Sequence, residues 1–129
     1  MNLRMLTAML IVFMVFLCGF ASSDMPANEN NNNLFYVCVD GKYGFIDKTG
    51  KIVINPQFDE TWHFSEDLAP VIIGDIESGK WGFIDKTGKF VINPQFDWAR
   101  DFLDGLAWAR IGGEGFLGTG KWGVIDKTG

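Results

Sequence analysis

Histidine and cysteine are scarce in this chain: 129 residues contain one histidine, His63, and two cysteines, Cys18 and Cys38. That supply is too small for a zinc site or a disulfide framework. Cations are also in the minority, with 11 Lys plus Arg against 16 Asp plus Glu and a net charge of −5. An acidic chain without a basic cluster excludes nucleic acid as a partner, because phosphate neutralisation dominates that affinity. No loop is dense in Asp, Asn and Gly, so the carboxylates Asp59, Asp97, Glu66, Asp104 and Asp67 do not read as a calcium site. Gly112-Gly113-Glu114-Gly115 lacks the Lys-Ser/Thr that a phosphate loop requires and reads as a connector. No cofactor and no metal are expected. A Cys38–His63 catalytic pair has no support in the residues around either side chain.

Apolar residues make up 47% of the chain and charged residues 21%, which excludes wholesale disorder. Twelve Phe, 5 Trp and 16 Gly point to short, turn-punctuated β elements. The N-terminus differs in kind. Met1–Arg4 carries a cation, Met5–Ala21 is uncharged, and small residues Ala21-Ser22-Ser23 precede Asp24. This order predicts a secretory signal peptide over 1–23, a hydrophobic helix cleaved after Ala21 or Ser23. The uncharged run of 17 residues is short of the roughly 20 that span a bilayer. Retained rather than cleaved, it would be the chain's membrane contact. Phe16 and Leu17 precede Cys18 where a lipobox needs small side chains, so lipidation is not expected. Residues 24–33, rich in Asn, read as a flexible spacer. Without residues 1–23 the net charge is −6 and Cys38 is the one thiol, a buried core residue by its apolar neighbours.

Self-comparison is the strongest signal. Gly41–Asp59 (GKYGFIDKTGKIVINPQFD) and Gly79–Asp97 (GKWGFIDKTGKFVINPQFD) are identical at 17 of 19 positions. A third copy, GKWGVIDKTG, begins at Gly120. The domain 34–129 therefore divides into units 41–78, 79–119 and a truncated 120–129, with offsets of 38 and 41 residues. The motif Lys-Trp-Gly-Phe-Ile-Asp-Lys-Thr-Gly-Lys, followed by Val-Ile-Asn-Pro-Gln-Phe-Asp and Gly-Leu-Ala, resembles the WG-repeat, or KWG-repeat, proteins. It stands at 80–97 and 105–107, at 42–59 with Tyr43 for the Trp, and in part at 121–129. The resemblance implies an all-β, frequently exported repeat module, and no particular reaction.

Within each unit, Asp47–Lys51 and Asp85–Lys89 read as hairpin turns, with Asp opening the turn and Gly at positive φ. Asn93-Pro94 is expected to end the second strand, since proline cannot donate to a ladder. Stretches 58–67 and 96–105 read as irregular, with one helical turn. Eight strands follow: 34–39, 42–47, 51–54, 68–73, 80–85, 89–92, 106–111 and 121–126. Apolar residues on both faces predict stacked sheets. Gly82 is expected to clear room for a ring or a close backbone crossing. About three strands per unit of 38 to 41 residues fit a four-stranded propeller blade poorly, and about two and a quarter units cannot close a ring. The fold class is thus all-β, an open array of antiparallel hairpin repeats after an N-terminal signal helix.

Tyr43, Trp81 and Trp122 recur at equivalent positions and read as core. Trp62, Trp98 and Trp108 do not recur in kind, their counterparts being Arg100, Glu60 and Pro70. The candidate ligand-binding surface is therefore Trp62, Trp98, Arg100 and Trp108, with His63 nearby. Asp47, Asp85 and Asp126 read as turn residues rather than metal ligands. The functional expectation is an exported, non-enzymatic repeat module that binds a protein or a polysaccharide at the bacterial envelope or outside the cell. The alternatives are a structural spacer, or an accessory segment of an enzyme whose catalytic domain lies elsewhere. Strand 121–126 lacks a hairpin partner, which predicts a fragment of a longer array, self-association through that strand, or packing on the N-terminal strand.

Overall fold

The computed structural model of the chain describes residues 33–113 and 118–129. The signal segment 1–23, all of the spacer 24–33 but Asn33, and residues 114–117 of the Gly-rich connector lie outside the described residues. Ten strands occur among the described residues, and no helix. They are β1 (Phe35–Val39), β2 (Lys42–Ile46), β3 (Ile52–Phe58), β4 (Glu60–Thr61), β5 (Ala69–Ile73), β6 (Lys80–Ile84), β7 (Phe90–Phe96), β8 (Trp98–Ala99), β9 (Leu106–Ile111) and β10 (Lys121–Asp126). Pairing is antiparallel throughout and builds three sheets, β1-β2-β3, β4-β5-β6-β7 and β8-β9-β10.

All eight expected strands are present, and two corrections apply. Strands β3 and β7 do not stop at Asn-Pro; they run on to Phe58 and Phe96. Between the partners Tyr43↔Phe58 and Phe45↔Ile54 the register shifts, and Trp81↔Phe96 and Phe83↔Ile92 repeat the shift. Pro56 and Pro94 fall in these bulges, on edge strands, where a missing N–H costs no ladder bond. Stretches 58–67 and 96–105 hold no helical turn. Each contains a two-residue strand, β4 or β8, and then a tight turn closed by Ser65↔Leu68 or Leu103↔Leu106. Glu66 and Asp67 have φ of 50° and 70°, and Asp104 and Gly105 have 52° and 79°. Two successive positive values are what a type I′ turn demands.

The hairpin turns form as expected. Asp47 Oδ1 accepts from the Thr49 N–H at 2.8 Å, the Thr49 hydroxyl at 2.6 Å and the Lys51 N–H at 3.1 Å, and Gly50 has φ of 84°. Asp85 repeats the arrangement with Thr87, Lys89 and Gly88.

Each sheet has a bulky side and a thin side. The bulky side of the first sheet presents Phe45, Ile54 and Phe58, which pack on Ala69, Val71 and Ile84 of the second. The other side of that second sheet presents Ile72, Trp81, Phe83, Ile92 and Phe96, which pack on Ala99, Ala107 and Ala109 of the third. Sheets and sequence units are out of step: the unit 41–78 gives β2 and β3 to one sheet and β4 and β5 to the next. The stack is thereby held by covalent crossovers as well as by contact.

Gly82 sits where β7 crosses closest. A Cβ there would lie 2.6 Å from the Ile92 carbonyl oxygen and 2.7 Å from the Pro94 nitrogen, and Gly44 faces Ile54 and Pro56 in the same way. The obstacle is backbone, which cannot swing aside. Gly82→Ala should therefore destabilise the fold by about 1–3 kcal/mol, the range for overpacking, in urea or thermal melts. A variant as stable as the parent would show that β6 and β7 do not cross at this position.

Candidate functional site

The third sheet exposes its bulky side. By register, Trp98 of β8, Arg110 of β9 and Trp122 of β10 lie opposite one another on one face. Two residues along the ladder are Arg100, whose N–H donates to the Trp108 carbonyl at 2.9 Å, then Trp108 and Val124. Cross-strand neighbours sit about 5 Å apart at Cβ, close enough for long side chains to act together. Trp98, Arg100, Trp108 and Trp122 line an open cleft of about 450 Å³.

Three of the four sequence candidates, Trp98, Arg100 and Trp108, thus converge on one site. Trp62 does not join them. It stands one sheet away beside β4, exposed, its N–H donating to the Pro70 carbonyl at 3.2 Å. His63 likewise stands apart, 3.4 Å from the Asp101 carboxylate, which is its own counterpart in the next unit. The residue that sequence reasoning placed in the core is Trp122. Of its repeat equivalents, Trp81 is 1% exposed and Tyr43 is half-buried, whereas Trp122 is 50% exposed and lines the cleft. Among the described residues no strand lies along the outer edge of β10, and Trp122 is exposed accordingly. Arg110 is the second addition. It occupies the position of Ile72, is buried, donates from Nη1 to the Gly118 carbonyl at 3.0 Å, and holds its guanidinium carbon 5.7 Å from the centre of the Trp122 ring. That distance suits a cation–π contact, which fixes the indole from beneath.

The WG containing repeat family matches this chain over residues 43–75 and 81–114. The chain belongs to the WG-repeat family. No curated protein and no solved structure matches it. The Trp-Gly pair that gives WG repeats their name has a geometric role here: Trp81 fills the junction between sheets, and Gly82 lets the return strand cross against it. At Trp122-Gly123 the same pair has neither cover nor crossing among the described residues, and a Cβ on Gly123 would meet nothing within 4 Å.

Trp98 is placed by the corner of the WG repeat before it. Asp97, between β7 and β8, pairs with Lys80 of the second sheet through one carboxylate oxygen. Through the other it accepts from the Gly112 N–H at 2.6 Å and the Gly113 N–H at 3.3 Å in the third. Its own N–H donates to the Arg110 carbonyl at 2.8 Å. The corner is thus tied to both sheets, and the Trp98 ring packs against Trp81 with centroids 5.4 Å apart. Asp59 makes the equivalent corner with Lys42 and the Gly74 N–H. Glu60, the counterpart of Trp98, is half-buried, and burial pushes its carboxyl above the usual range.

The Lys80 ammonium, with the two glycine N–H groups, holds the Asp97 carboxyl below the ordinary carboxylate range. A group depressed on folding stabilises the protein above its unfolded pKa, near 4, and loses that contribution as pH falls through the lower folded value. Asp97→Asn should therefore melt at a lower temperature than the parent at pH 7, and the gap should close as pH drops below about 4. A gap that stayed constant down to pH 2.5 would show that the corner carboxylate is not ionised in the fold.

Proposed function

We propose that this chain is an exported, non-enzymatic WG-repeat module that binds a protein or polysaccharide ligand at the bacterial envelope or outside the cell. The observation that carries the reading is the cleft of Trp98, Arg100, Trp108 and Trp122. Three indoles offer flat apolar area, which suits the face of a sugar ring or the side chains of an extended peptide. Arg100 is exposed and makes no ion pair among the described residues, so it is available to a carboxylate or a hydroxyl of the ligand. An interface core in which Trp and Arg dominate is also what tight binding surfaces favour.

Support for a binding rather than a catalytic role comes from how the polar side chains are used. Asp47, Asp85 and Asp126 accept from their own turns, Asp59 and Asp97 hold corners, Asp67 pairs with Lys86, and Glu66 pairs with Lys127. No acid–base pair lines the cleft among the described residues. Support for export comes from the sequence of residues 1–23 and from the one thiol left without them.

Glycan arrays and envelope-protein pull-downs test the reading together. Reproducible binding should fall about tenfold or more in Trp108→Ala, whose ring is exposed, while far-UV circular dichroism and melting stay near the parent. Silence in both screens would favour the spacer role instead.

A further inference from the structure

The carboxylates that hold the frame together find their partners inside it. Asp59, Asp97, Asp67 and Glu66 take lysines, and Asp47, Asp75, Asp85 and Asp126 accept from their own turns, which holds all eight below the ordinary carboxylate range. Glu60 is used differently. It forms no ion pair among the described residues, and its burial outweighs the hydrogen bonds it accepts from the Thr61 N–H, at 3.3 Å, and the Tyr43 hydroxyl. Lys42, next to Tyr43 in the chain, is already held by Asp59. The fold does not require a carboxylate here, because in the following unit the same place is taken by Trp98, packed on Trp81 with centroids 5.4 Å apart. In the earlier unit Tyr43 and Glu60 stand in place of both indoles. Tyr36 of β1 completes the group, its ring centroid 6.2 Å from that of Tyr43 and the two planes at 58°. Burial first, and the Glu60 charge second, hold the Tyr36 hydroxyl above its usual range, so that charge lies within reach of the Tyr36 ring. All three side chains are half-buried.

We propose that Tyr36, Tyr43 and Glu60 form a binding site for the ammonium group of a lysine side chain from a partner protein. A partly buried carboxylate costs free energy until a cation joins it. A carboxylate offers about four acceptor positions, and Glu60 has two of them filled by Thr61 and Tyr43. Phenol rings beside it attract a cation through their faces and cover the apolar stem that carries it. Lysine supplies both parts, a compact charge with N–H donors at the end of a flexible alkyl stem. A guanidinium fits less well, since its planar fork calls for both carboxylate oxygens together, and Oε1 is engaged by the Thr61 N–H. A quaternary ammonium has no N–H to donate, and an amino sugar would press hydroxyls against the rings. The site uses none of the cleft residues, so it goes beyond the reading above and does not rest on it.

The probe is Nα-acetyl-lysine N-methylamide, titrated against the full chain in non-ionic detergent and followed through the ring-proton NMR signals of Tyr36 and Tyr43. The shifts should saturate. Glu60→Gln should melt at or above the parent, because it removes a half-buried charge and keeps the side chain's length. It should nevertheless weaken the probe about tenfold, the size of a charge-assisted hydrogen bond. Tyr36→Leu should weaken it about threefold, as loss of a cation–π contact at a partly exposed site does. Tetramethylammonium and glucosamine should each bind more weakly than the lysine probe, and equal or tighter binding of either overturns lysine as the occupant. No saturable shift, or the same affinity in the parent and Glu60→Gln, overturns the site itself. Glu60-dependent probe binding beside silent glycan and pull-down screens would uphold this site and sink the cleft reading. Trp108-dependent ligand binding without probe binding would do the reverse.

Discussion

A row of rings can close on another sheet at stacking distance only if the opposing face is thin. Phe45 and Phe58 meet Ala69 and Val71, and Phe83 and Phe96 meet Ala107 and Ala109. The rings also need a return strand pressed against their own backbone, and glycine at 44 and 82 permits that approach. Truncating a buried ring of this size costs about 3–5 kcal/mol, whereas an exposed ion pair is worth at most about 1 kcal/mol. Stability therefore resides in the ring-on-alanine junctions. The corner carboxylates Asp59 and Asp97 have a different task, which is to set the angle at which one sheet hands the chain to the next. Each does so by tying a lysine of the earlier sheet to glycine N–H groups of the later one.

The junctions also explain why the loops between β4 and β5, and between β8 and β9, are tight rather than loose. Ser65 donates its hydroxyl to the Phe102 carbonyl at 2.6 Å, and Glu66 accepts from the Gly105 N–H at 3.0 Å, so the turn of one unit rests on the turn of the next. Lys127 from the third hairpin reaches the Glu66 carboxylate at 3.1 Å. Hairpin tips and type I′ turns thereby form a polar seam along one border of the stack. The apolar junctions run beneath it.

Much of this was legible in the residues. The 17-of-19 identity fixed the period, Asp-Lys-Thr-Gly gave the hairpin turn, and the close crossing at Gly82 followed from a glycine beside a tryptophan in a strand. Three of four candidate surface residues share one cleft because positions that differ between otherwise identical units cannot all serve the common frame. Two features were hidden. Proline usually ends a strand, and only the bulge against β2 and β6 lets Pro56 and Pro94 pass. The type I′ turn at Glu66-Asp67 has no glycine to announce it, although Asp104-Gly105 at the equivalent place did carry that signal. Trp122 was misplaced for a further reason: equivalence in sequence implies equivalent burial only where the neighbours are equivalent too.

The bulky face of the third sheet differs in its residues from the corresponding faces of the first two. On β10 Trp122 and Gly123 repeat Trp81 and Gly82, while beside them four residues of that face have changed and Leu106 keeps the Leu68 of the earlier unit. Trp98 stands for Glu60, Arg100 for Trp62, Trp108 for Pro70 and Arg110 for Ile72. Pro70 is fully buried against the next sheet, and a tryptophan there could not fit beneath a neighbour placed as closely; Trp108 is instead 55% exposed. The buried Arg110, joined to the Gly118 carbonyl and set under Trp122, braces the altered half. One half of the face thus keeps the residues of the repeat, and the other half has exchanged junction residues for two indoles and two arginines. The repeat frame therefore sets the backbone of this face, and the residues that depart from the repeat set its chemistry.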